Sequence, residues 1–115
     1  MNKEIMRGLI IQIAVKNLIE LGEFPKSEDA VKDPKGIEYI DHIQALIDGI
    51  KLPVSNDDAV GLCSILRNDD DDYFGLTQTL LQKIETAPDW PIKELFVNNN
   101  NYWMNVLKRR ARLVW

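Results

Sequence analysis

Residues 66–95, LRNDDDDYFGLTQTLLQKIETAPDWPIKEL, decide the fold class. After four consecutive aspartates, Asp69 to Asp72, the residues Tyr73, Leu76, Leu80 and Ile84 recur at intervals of three and four, with Leu81 beside them. This spacing lines one side of an α-helix and lacks the strict alternation of a half-buried strand. The helix should end before Pro88. Asp89 is then placed to cap a short helix carrying Ile92, Leu95 and Phe96, with Pro91 tolerated in the first turn, where its missing donor has no partner anyway.

Working toward the N-terminus, PVSNDDAVGLCSILRN places Ser55 three residues before Asp58, an acidic variant of the capping box, ahead of an apolar face of Ala59, Leu62, Cys63 and Leu66. Before it, Ile40, Ile43, Leu46, Ile47 and Ile50 predict a helix that Pro53 closes. Residues 23–36, with two prolines and a terminal glycine, read as a connector containing about one helical turn after Ser27. The first 21 residues form a wide apolar helical face, with Ile5, Leu9 and Ile13 on one ridge and Met6, Ile10, Ala14, Leu18 and Leu21 on the next. Gly22 is placed to end it.

Toward the C-terminus, Asn98 to Asn101 break the chain before a last helix with Trp103, Val106, Leu107 and Leu113 on one face. No stretch of clean period-2 alternation lies between turn signals, as a β-hairpin would need. The expectation is an all-α, single-domain bundle of five to six helices over residues 1–115, with segments 37–52 and 70–87 at its centre.

The 115 residues, 45% hydrophobic and 28% charged, suit one domain with one core. A net charge of −4 disfavours nucleic acid as a partner, because phosphate binding depends on Lys and Arg. One cysteine, Cys63, allows no internal disulfide and fits a reducing compartment. Gln12, Lys16, Asn17 and Glu20 interrupt the N-terminal apolar run, so neither a signal peptide nor a membrane span is expected, and the cytoplasm is the natural location.

The aspartate run allows three readings: a metal site, a helix cap, or a surface for a cationic partner. A calcium loop needs glycine at its sixth position and glutamate at its twelfth. Counting from Asn68 these are Tyr73 and Thr79; counting from Asp70 they are Gly75 and Leu81, so both registers fail. Asn68 or Asp69 could cap the next helix, with further aspartates stabilised in its first turn by about 0.3–1 kcal/mol each. Four adjacent carboxylates exceed what a cap requires.

His42 and Cys63 could form a nucleophile and base, but Cys63 lies among Leu62, Ile65 and Leu66, where a small apolar residue is wanted. One cysteine and one histidine cannot make a structural zinc site. Phosphate-cradling glycine loops and hydrolase motifs are absent, so no cofactor is expected. The cations Lys108, Arg109, Arg110 and Arg112 complement the last helix's dipole or, alternatively, contact phosphate in a small nucleic-acid-binding regulator. Trp90, Trp103 and Trp115 are either core residues or interface anchors.

Taken together, YIDHIQALIDGIKLP (residues 39–53), AVGLCSILRNDDDDYFGLTQTLLQKIETAPDWP (59–91) and NNNNYWMNVLKRR (98–110) resemble small helical immunity proteins of bacterial polymorphic toxin systems, including contact-dependent growth inhibition. The resemblance covers roughly residues 37–112 and rests on helix faces and on corners such as Ala87 to Pro91. It implies a cytoplasmic antitoxin without catalysis of its own that binds a cognate toxin domain, often a nuclease with a basic cleft, and occludes its active site. An acidic inhibitor suits such a cleft by charge complementarity. The expected toxin contacts are Asp69, Asp70, Asp71 and Asp72, supported by Tyr73, Asp57 and Asp58.

Overall fold

The structure, a computed structural model, describes residues 11–97 and 99–112. The expected residues Ile5, Met6, Leu9, Ile10, Leu113 and Trp115 lie outside the described residues. Among the described residues there are six α-helices and no strand: α1 (Ile13–Leu21), α2 (Ser27–Lys32), α3 (Gly36–Asp48), α4 (Asn56–Cys63), α5 (Leu76–Ile84) and α6 (Tyr102–Arg110), with a 3-10 turn at Lys93–Phe96. The fold is all-α, as the periodicity predicts.

Helix α3 packs against α1, α2 and α5, while α4 packs against α1 and α5. Their shared core contains Val15, Leu18, Ile43, Ile47, Leu62, Leu80, Leu81, Ile84 and Leu107, all fully buried. Each such side chain contributes roughly 1.5–3 kcal/mol by leaving water. On α1 the inward stripe is Val15 and Leu18, with Ala14 and Ile19 half-buried, whereas Ile13 is 77% exposed. The apolar arc is wide enough for several stripes to face inward, and the approach of α4 selects one. A Cβ at Gly61 would lie 2.6 Å from Ile19 Cδ1 and 3.9 Å from Val15 Cγ1, so glycine permits that approach.

The capping box forms as predicted. Asp58 N–H donates to Ser55 Oγ at 2.9 Å, and Ser55 N–H donates to Asp58 Oδ2 at 3.0 Å. Gly22, at φ 78°, ends α1 with its N–H directed to the carbonyls of Leu18 and Ile19. Beyond breaking the chain, the asparagine run supplies a cap: Asn101 Oδ1 accepts from the N–H groups of Trp103 and Met104, at 2.9 and 3.2 Å.

Two local expectations are corrected, and a third gains detail. The segment before α5 is not a carboxylate-capped helix start. Tyr73, Phe74 and Gly75, at φ 49°, 60° and 85°, wind a left-handed turn, and α5 begins only at Leu76 with no acidic residue in its first turn. Asp89 caps nothing; it pairs with Asn56, whose Oδ1 accepts from Asp89 N–H at 3.1 Å and whose Nδ2 donates to Asp89 Oδ2 at 2.7 Å. In residues 23–36 the helical turn expected after Ser27 forms as the six-residue α2, and the connector is a packed corner, with Phe24, Ala30 and Gly36 buried.

The corner depends on backbone contact. A Cβ at Gly36 would fall far inside van der Waals distance of the Ala30 carbonyl oxygen, whereas one at Gly49 would meet nothing closer than 3.4 Å. Gly36→Ala is therefore expected to destabilise the protein by about 2–4 kcal/mol. Gly49→Ala, at φ −77°, should be neutral or stabilising by about 0.4–1 kcal/mol. Urea denaturation of both variants checks this pair.

Candidate interaction surface

Between α4 and α5 the chain has no regular structure, and its polar groups find partners far away in sequence. Arg67 lies under this segment, donating from Nε to Asp69 Oδ1 at 2.9 Å, from a terminal nitrogen to Asp69 Oδ2, and from the other to the Phe24 carbonyl at 3.0 Å. Asp71 accepts from Ser27 N–H at 2.8 Å, Ser27 Oγ at 2.5 Å and its neighbour Tyr73 N–H at 2.9 Å. It thereby caps α2, which has no side-chain cap of its own. Asn68 Oδ1 accepts from Tyr102 N–H at 2.9 Å, and the Leu66 carbonyl accepts from Asn101 Nδ2 at 2.9 Å, fixing the start of α6.

Of the four aspartates, Asp69 and Asp71 are therefore structural. The Arg67 hydrogen bonds hold the Asp69 carboxyl below the usual carboxylate range. Burial pushes the Asp71 carboxyl up, but the hydrogen bonds from Ser27 and Tyr73 outweigh it and hold it low. Asp70 is exposed and Asp72 half-buried, and neither carboxylate has a hydrogen bond or ion pair among the described residues.

Two expected contact residues are internal. Tyr73 is fully buried, its ring tilted against Phe24 at 5.5 Å between centroids. Asp58, 2% exposed, closes its capping box and accepts from Gln12 N–H and Nε2, both at 3.0 Å. Burial opposes its ionisation, and the Gln12 and Ser55 hydrogen bonds more than compensate, leaving its pKa lowered. Neither residue can meet a partner across a flat surface. Asp57 is half-buried in the first turn of α4.

The residue that the spacing does not single out is Phe74, next to Tyr73. It stands 49% exposed at φ 60°, against the buried Tyr73 ring 5.3 Å away and two residues after Asp72. Bulky residues in the left-handed region cost roughly 1–2 kcal/mol each, and such strain persists where the surroundings over-determine it. The signal for it is Tyr-Phe-Gly between a loop and a helix, where glycine marks the left-handed position but not how far the turn extends.

Other candidates separate in space or chemistry. Burial pushes the Cys63 thiol up to about 12, so at neutral pH it is not a nucleophilic thiolate, and His42 is exposed on α3. Among the described residues no three His, Cys, Asp or Glu side chains converge to hold a metal ion. In the C-terminal cationic group, Arg110 is tied to Glu85 by two hydrogen bonds of 3.0 and 2.5 Å, joining the ends of α5 and α6, while Arg109 and Arg112 are exposed. Trp103 is core, and Trp90 is half-buried edge-on to Phe96. Among the described residues no helix is long and apolar enough to cross a membrane. Comparison with protein-family models, curated proteins and solved structures returns no match.

The alternation of roles generates a stability prediction. Asp71→Asn should destabilise the fold by about 1–3 kcal/mol through the hydrogen bonds to its charge, while Asp70→Asn stays within about 0.5 kcal/mol of the parent. Asp58, Asp69 and Asp71 have lowered folded pKa values, so their contribution is fully present above the unfolded value of about 3.9 and is lost as the pH falls through the folded values. Stability should fall steeply below about pH 4, and the fall should be shallower in Asp71→Asn. Thermal unfolding between pH 2 and 7 measures both.

Proposed function

We propose that this protein is an immunity protein, a cytoplasmic antitoxin that binds a cognate toxin domain and blocks its active site. The observation that carries this reading is the stretch from Asp70 to Phe74: two carboxylates without partners among the described residues and, two and four residues further along the chain, a half-exposed aromatic on a strained turn. It combines the ingredients of a binding surface, an aromatic anchor supplying affinity and flanking charge supplying orientation and speed. With a net charge of −4, the protein attracts a partner with a basic cleft, such as a nuclease, over about a Debye length. Inhibition by occupancy needs no chemistry from the inhibitor, only complementarity.

The direct test is growth rescue. The toxin domain encoded immediately upstream is expressed in a laboratory bacterium with and without this protein; toxicity relieved only by this protein supports the reading, and toxicity unaffected by it rejects the reading. With the pair in hand, Phe74→Ala should weaken binding by about thirtyfold, as expected for an aromatic anchor, with little change in unfolding free energy because the ring is half-exposed. Asp70→Asn combined with Asp72→Asn should slow association and flatten its dependence on salt. Replacing all four aspartates would confuse contact with folding. Surface plasmon resonance at several ionic strengths separates these effects.

A further inference from the structure

We draw no further inference here: the strongest candidate, the cavity of about 410 Å³ between α2 and α3 lined by Pro25, Ala30, Gly36 and Tyr39, carries none, because nothing in the structure shows what fills it and the Tyr73 hydroxyl is wholly buried.

Discussion

The constraint on which the structure depends is the satisfaction of backbone and charged groups in the irregular segment from Leu66 to Tyr73. A buried or half-buried stretch without secondary structure must find partners for its polar groups elsewhere. Here those partners are the Phe24 carbonyl, the start of α2 at Ser27 and the start of α6 at Tyr102. One loop therefore fixes two helix termini and the corner entering α2. The two helices whose starts it fixes, α2 and α6, contact each other little, so the loop joins elements that side-chain packing would join in a regular bundle.

The four aspartates follow from the same constraint. The irregular, bent segment brings Asp69 to Arg67 and Asp71 to Ser27, while the carboxylates of Asp70 and Asp72 have no hydrogen bond or ion pair among the described residues. Four adjacent carboxylates repel one another, and engaging alternate members offsets much of that repulsion: Arg67 neutralises Asp69, and the hydrogen bonds from Ser27 and Tyr73 stabilise the Asp71 charge. The run is thus neither one cap nor one surface, but two interleaved sets with separate roles.

This explains what was legible in the sequence. Helix existence depends on periodicity, which is local, and α3, α4, α5 and α6 all lie where Ile43, Leu62, Leu80 and Leu107 place them. The Ser55 and Asp58 box is also local, spanning three residues. The role of Asp71 was not legible, because its partner Ser27 is 44 residues away and nothing in either neighbourhood announces the pairing. The burial of Tyr73 and exposure of Phe74 escaped for a related reason. At helical spacing Tyr73 heads an apolar face, and only the left-handed turn turns its neighbour outward.

That turn links stability to binding. A segment held by Asp69, Asp71 and the Tyr73 ring loses little conformational freedom when a partner arrives, whereas a flexible acidic loop would be ordered only at the expense of affinity. The strain in Tyr73 and Phe74 is offset by contacts made during folding, before any encounter. Phe74 is accordingly held against the Tyr73 ring, a few residues along the chain from two unpaired carboxylates whose charge would steer a cationic surface. Under the proposed inhibitor reading the internal aspartates would act on recognition through rigidity and the outward aspartates through charge, so that a loss of stability and a loss of association rate would trace to different members of the same four-residue run.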